Sequence, residues 1–294
     1  MIIKFDSVSG KMEGIRNDER KAFYESFGFE IAKGENGKNY VKLNSVMNDI
    51  LNISEGNEKV GNTICFNLPI EYTCSHCCEC YLKGLCYAEQ GCYNFADNQA
   101  KYSENLHFYN NHTKEQFLKA LQLAIDTIGY KLFRYFTCGD IPNYDFIEVM
   151  VQLAKANPDI RFWSYTKKYS LCNRYVAENG GSIEKAFPEN LVIIFSHWLN
   201  EDGSYYPMDN PYNFPTSEFI PFGKEKLAEN ATFICPCSDP TVNVTCETCE
   251  HKCYTLKPGQ SQALCEHSTS KTKERDKALK AAKKALPKAE KKTA

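Results

Sequence analysis

The sequence predicts an α/β protein: a partial, open β/α barrel with a parallel sheet, followed by a cysteine-rich C-terminal metal module. Three observations carry this reading. Between residues 62 and 196, short β-favouring apolar runs alternate with segments of helical periodicity, the pattern of parallel strands joined by crossover helices. Apolar residues make up 43% of the 294, enough to bury a sizeable core. The fifteen cysteines, an odd number, cluster in two stretches instead of scattering, which favours metal ligation over a disulfide framework.

Residues 1–60 read as a mixed, polar N-terminal segment in which Asn44–Leu51 is expected to form a short helix. The α/β region spans residues 61–230. Its first strand is Asn62–Pro69, short, rich in apolar and β-favouring residues and stopped by proline. A cysteine-rich loop at 74–92 follows. Helix is expected over at least part of Tyr87–Tyr109. A clearer helix covers Thr113–Tyr130: Thr113 and Gln116 have capping-box spacing, Phe117, Leu121, Ile125 and Ile128 make an apolar stripe, and Gly129 ends it. Strand Lys131–Thr137 comes next, then helix Asn143–Ala156 with Phe146, Val149, Met150 and Leu153 on one face. Strand Ile160–Tyr165, a less regular helical region to Ala186 and strand Leu191–Ser196 continue the alternation. Phe219–Phe222 and Thr232–Ile234 are weaker strand candidates, and Asn200–Pro215 is a long loop that could act as a lid. Residues 231–267 form the cysteine-rich module and 268–294 a basic, alanine-rich tail expected to be a solvated helix.

The net charge of −2 imposes no general affinity for nucleic acid or membrane, but it is uneven. Lys271–Ala294 carries ten basic against three acidic residues, a local +7, so the rest of the chain is at −9. The tail could therefore take nucleic acid or an acidic partner in a salt-dependent way. The first twelve residues lack an apolar core of signal-peptide length, and no window is apolar enough to span a bilayer. A cytoplasmic protein with reduced thiols is expected.

In α/β folds the working residues sit beyond the carboxyl ends of the strands. Those ends carry the cysteine loop, Cys138-Gly139-Asp140, Thr166-Lys167-Lys168 and Ser196-His197-Trp198, which are expected to gather on one rim. Five cysteines fall between Cys74 and Cys86. Cys74, Cys77 and Cys80 have two-residue gaps; Cys74, Cys80 and Cys86 have five-residue gaps, and Cys78 is a further thiol. Thiolates suit both zinc and iron–sulfur clusters, so spacing leaves the metal open. Three protein thiolates on a cluster would leave one iron open to a small-molecule chelator. The second set offers Cys235, Cys237, Cys246, Cys249 and Cys253, with His251 between. Its Cys246–Cys249 knuckle fits a closed site holding either a structural zinc or an auxiliary cluster. Cys265 is ambiguous and Cys172 reads as a core thiol. Asp140 could cap the following helix or contact a cofactor. Lys167 could bind a carboxylate or phosphate, and His197 and Trp198 could line a pocket. Walker, zinc-protease and serine-hydrolase motifs are absent.

The order of these motifs resembles the gene-product-88 family of bacteriophage proteins. Lys59-Val60-Gly61 precedes a strand, then come Thr73-Cys74, a middle cysteine and Cys86-Tyr87-Ala88. The strand from Arg134 to Gly139-Asp140, Tyr165-Thr166-Lys167, the strand ending at Ser196, and Cys235-Pro236 before the closing CxxC complete it. The resemblance spans roughly Lys59 to Tyr254. A more distant similarity is to radical S-adenosylmethionine proteins. By that similarity Cys74, Cys80 and Cys86 would hold a [4Fe–4S] cluster, S-adenosylmethionine would bind its open iron, and Asp140, Lys167 and Ser196 would lie near that cofactor. It assigns neither substrate nor catalytic side chain, and the gaps here depart from the usual CxxxCxxC. The rival reading is a non-enzymatic zinc protein that binds a macromolecular partner.

Overall fold

A computed structural model of the chain describes residues 1–6, 11–15, 30–33, 39–42, 50–74, 80, 86–89, 91–198, 204–239, 241–266 and 273–285. It is a mixed α/β protein in which ten strands belong to a mostly parallel sheet, with seven helices among the described residues. Two compact units divide it: Met1–Gly56, Asn62–Ser164 and Pro188–Leu191 make the first; Asn57–Gly61, Tyr165–Phe187 and Val192–Ala294 make the second.

The first unit begins with an antiparallel pair, β1 (Ile2–Asp6) and β2 (Lys11–Ile15), with Ile2 opposite Ile15. A separate ribbon joins β3 (Glu30–Lys33) to β4 (Asn39–Lys42). The strand β5 (Ile50–Ser54) runs antiparallel to β1 and to β6 (Ile64–Phe66). From there β7 (Leu132–Tyr135) and β8 (Arg161–Thr166) add parallel strands, the last two residues of β8, Tyr165 and Thr166, belonging to the second unit. The expectation of a helix at Asn44–Leu51 is corrected at its end, where Ile50 and Leu51 are strand; residues 43–49 lie outside the described residues. The reason is tertiary: Leu51 and Ile53 are buried in the sheet, which outweighs any local helical preference.

The helices of this unit are α1 (Ile70–Thr73), α2 (Ala96–Asn111), α3 (Lys114–Ile128) and α4 (Tyr144–Ala156). Tyr87–Glu89 and Gly91–Asn94 are 3₁₀ turns, and the helix expected over part of Tyr87–Tyr109 runs from Ala96. At α3 the capping box forms in both directions: Thr113 N–H donates to Gln116 Oε1 at 2.9 Å and Gln116 N–H to Thr113 Oγ1 at 3.3 Å. Gly129 ends the helix at φ 74°, where a side chain would be strained. Phe146, Val149, Met150 and Leu153 of α4 are buried as their spacing predicts. They complete an aromatic core in which Phe66 packs on Phe117 and Phe146 at centroid distances of 5.6 and 5.8 Å. Burying each such ring contributes about 1.5–3 kcal/mol, and the pairing adds about 1 kcal/mol.

In the second unit β9 (Leu191–Trp198), β10 (Thr216–Ile220), β12 (Ser261–Cys265) and β11 (Phe233–Ile234) pair in that order, all parallel. Three helices accompany them: α5 (Tyr169–Glu178), α6 (Ile183–Ala186) and α7 (Lys273–Ala285). Both weaker strand candidates form, the first shifted to Thr216–Ile220. The strand β12 went unforeseen inside the cysteine-rich segment. No helix among the described residues is long and apolar enough to cross a membrane.

Candidate functional site

In the first unit the parallel register of β6 and β7 brings their carboxyl ends side by side. Phe136 turns the chain there with φ 57°, a conformation rare for a bulky residue. Its N–H donates to Phe66 O and its ring stays in the aromatic core. The buried Asn67 then takes over. Its Oδ1 accepts from Thr137 N at 2.8 Å, Thr137 Oγ1 at 2.7 Å and Cys138 N at 3.0 Å. Asn67 is itself held by Asn105 of α2, whose Nδ2 donates to the Asn67 carbonyl. Leu68 N donates to Cys138 O. At Gly139, with φ 88°, a Cβ would lie 2.4 Å from Leu68 O, so only glycine fits the approach.

This turn delivers Cys138 and Asp140 to the start of the cysteine loop. Thr73 Oγ1 donates to Pro69 O and accepts Asp140 N–H at 3.0 Å. The Asp140 carboxylate accepts Ile141 N–H at 2.7 Å, and Asn143, not Asp140, caps α4. Asp140 is buried, and so is Cys138, in one apolar cluster with Ile70, Ala88 and Tyr102. Cys74 and Cys86 pack against that cluster. A hydrogen bond from Cys80 holds the Cys86 thiol below its ordinary value, against the opposing effect of burial, and the N–H groups of Ala88 and Glu89 assist. Burial and the nearby Cys74 push Cys138 up. Cys74, Cys80 and Cys86 therefore share one neighbourhood, while Cys77 and Cys78 lie outside the described residues.

The second unit holds the other two groups. Lys167 Nζ lies 5.2 Å over the Trp198 ring, a cation–π contact. The Tyr169 hydroxyl donates to the Ser196 carbonyl. His197 and Trp198, expected beyond the strand that ends at Ser196, continue it, so that Ser196, His197 and Trp198 lie opposite Ser217, Glu218 and Phe219 of β10. The His197 ring stacks on Tyr205 at 4.2 Å, and its Nε2 contacts Tyr206 O. A shallow cleft of about 630 Å³ is lined by Lys167, Tyr169, Ser170, Pro207, Met208 and Asp209. The four groups expected on one rim are thus brought together as two pairs, one in each unit.

The C-terminal cysteines also lie in the second unit. Cys235 N–H donates to Ala263 O. A hydrogen bond to Cys237, burial and the neighbouring Cys253 push the Cys235 thiol up. Cys253 Sγ donates to Gln262 Oε1 at 2.7 Å. Thr245 and Thr248 close the turn that carries Cys246 and Cys249, and Cys246 N–H donates to Lys59 O. His251 stacks on Phe233 at 4.6 Å. Cys172 is fully buried on α5, and Cys265 is buried beside Ala263 and Ile220.

Among the described residues, no three His, Cys, Asp or Glu side chains stand in an arrangement that could hold a metal ion. The donor type common to both sets, thiol sulfur, is the one a thiophilic metal prefers. Sequence reasoning missed Asn67, Gln262 and β12. Asn67 alone carried a signal, as a polar residue inside an apolar run.

These features define an α/β protein with two thiol-rich regions. The gene product 88 family model matches residues 42–214, more than half of the chain, and the chain belongs to that family. The matched span includes Cys74, Cys80, Cys86, Asp140, Lys167 and Ser196 but ends before Cys235. No curated protein and no solved structure matches the chain.

Proposed function

We propose that the chain is a thiolate-ligated iron–sulfur protein of radical S-adenosylmethionine type, on a partial β/α barrel. Cys74, Cys80 and Cys86 would hold the cluster, with Cys77 a further candidate in the same loop. The observation that carries the reading is the shared neighbourhood of these thiols near the clamped ends of β6 and β7: Cys80 is hydrogen-bonded to Cys86, and Cys74 and Cys86 pack against one apolar cluster. When bound, such a cluster supplies an electron and an iron open to the amino and carboxylate groups of a sulfonium cofactor. The chain's own part is positional. Asn67 and Gly139 fix the turn, Thr73 fixes Asp140, and the apolar cluster of Ile70, Ala88 and Tyr102 packs against Cys74 and Cys86. Lys167 and Ser196 belong to the other unit, and the reading does not rest on them. None of the thirteen described cysteines forms a disulfide; a cytoplasmic compartment that keeps thiols reduced is part of the proposal.

A second metal is proposed for Cys235, Cys237, Cys246, Cys249 and Cys253. The Cys246–Cys249 knuckle and the hydrogen bond between Cys235 and Cys237 favour a closed zinc site there.

Anaerobic purification followed by iron, sulfide and zinc analysis tests both. Iron and sulfide near about four each per chain, with a broad band near about 400 nm that dithionite bleaches, is expected, and Cys86→Ala should lose it. Zinc alone, with no visible band, overturns the iron–sulfur reading in favour of a zinc protein that binds a partner. In that case the basic tail becomes the place to look, and deleting 271–294 should lower the salt dependence of nucleic-acid binding.

A further inference from the structure

Cys253 is tied into the sheet of its own unit by one buried amide. Gln262 sits on β12 between β10 and β11 and is 2% exposed. Its Oε1 accepts from Cys253 Sγ at 2.7 Å. Its Nε2 donates to the Tyr165 hydroxyl and to Ser217 Oγ, both at 3.0 Å. Both amide hydrogens and the amide oxygen are thus engaged, inside a site where an unmatched group would cost about 1–3 kcal/mol. Cys253 enters this bond from a constrained backbone: Lys252 before it is left-handed at φ 49°, and Cys253–Thr255 is a 3₁₀ turn. Two independent restraints therefore set the direction of one sulfur.

We propose that Gln262 is the positioning residue of the C-terminal thiol set, holding the Cys253 sulfur beside Cys235 and Cys237 and linking it to Tyr165 at the end of β8. The metal part of this inference rests on the reading that these thiols take a metal; the positional part does not. The hydrogen-bond chemistry suits both conditions of the sulfur. A free thiol donates, and it meets the amide oxygen as found. A metal-bound sulfur only accepts, and the same amide serves it with Nε2–H after turning end for end. The Tyr165 and Ser217 hydroxyls can each donate or accept, so both can bond the amide oxygen after that turn. An aliphatic side chain of similar size offers none of this. Outer-shell partners of this kind typically change metal affinity by about 10- to 100-fold.

The test uses full-length chain, Gln262→Ala and Gln262→Leu, with Cys253→Ala as background. Metal-free protein is first treated with limiting iodoacetamide, and modification at each cysteine is followed by mass spectrometry. Faster modification of Cys253 in both Gln262 variants, with Cys172 unchanged, is expected; an unchanged Cys253 rate overturns the positional inference whether or not metal binds. Zinc affinity is then read by competition with a chromophoric chelator. A loss of about 10-fold or more that disappears when Cys253 is already alanine supports action through Cys253. An equal loss in both backgrounds shows that Gln262 acts structurally and overturns it. Wild-type chain that takes up no metal through these thiols defeats the metal reading alone, and the modification rates still decide the positional one.

Discussion

The side-chain oxygen of Asn67 accepts the backbone N–H of Cys138 at 3.0 Å, so the residue that follows β6 holds the turn that follows its parallel neighbour β7. The same oxygen takes two donors from Thr137. Asn67→Ala would leave three buried donors without their acceptor. A loss of at least about 2 kcal/mol is expected, read as a lower urea midpoint with an unchanged slope. Asn67→Asp retains an acceptor there and should lose less.

Gly139 lies on the same turn and tolerates no side chain. Gly139→Ala would force a Cβ to 2.4 Å from Leu68 O at φ 88°. The backbone must shift, and a destabilisation of more than about 1 kcal/mol is expected. Gly129→Ala is the comparison. That site also has positive φ but nothing within 4 Å, so it should cost only the conformational penalty. Equal losses at the two glycines in thermal unfolding would count against a steric role for Leu68.

Tyr135 presents the opposite case. Its side chain is fully buried among Phe133, Phe136, Phe146 and Phe162. Its hydroxyl has no hydrogen-bond partner among the described residues. Removing that hydroxyl removes a polar group buried without compensation. Tyr135→Phe should therefore be neutral or stabilising by about 1 kcal/mol; a clear drop in unfolding free energy would show that the hydroxyl is bonded in solution.

The thiols of the first set should differ in reactivity. Cys80 holds Cys86 below its ordinary value, whereas burial pushes Cys138 up. Because the thiolate is the reactive form, metal-free chain at neutral pH should be alkylated at Cys86 well before Cys138. Cys80→Ala should move the Cys86 profile to higher pH. The sign for stability follows: a depressed folded value contributes stability that is present above the unfolded value and fades as pH falls through the folded one. Mass spectrometry across a pH series reads the order, and Cys138 reacting first would contradict it.

In the first turn of α7, Arg275 Nη2 donates to Glu266 O at 3.0 Å, and its guanidinium lies 5.2 Å over the Phe222 ring. It also pairs with Glu225 and Asp276. Arg275→Ala should therefore expose the helix to proteolysis before the rest of the chain is cut. Arg275→Lys should rescue it only in part, since a lysine cannot both stack and fork. Limited trypsin-free digestion, for example with a glutamate-specific protease, followed by intact mass reads this.

Local patterns alone determined α3, α4 and β9. Thr113 with Gln116, the Phe146–Leu153 stripe and the Leu191–Phe195 run each specify an element from neighbours within a few residues. They also placed Thr73-Cys74 and Gly139-Asp140 at adjacent strand ends, because parallel alternation dictates which ends face the same way. What depends on partners far along the chain was settled by tertiary structure. The strand β12 carries little apolar signal of its own and exists because β10 and β11 flank it. Ser196–Trp198 stay extended because β10 pairs with them. Asn67 meets residues 70 and 71 positions away, and Gln262 meets Tyr165 across 97. The physical reason is that capping and amphipathic spacing are written in adjacent residues, whereas a buried hydrogen bond is decided by which groups packing leaves without water.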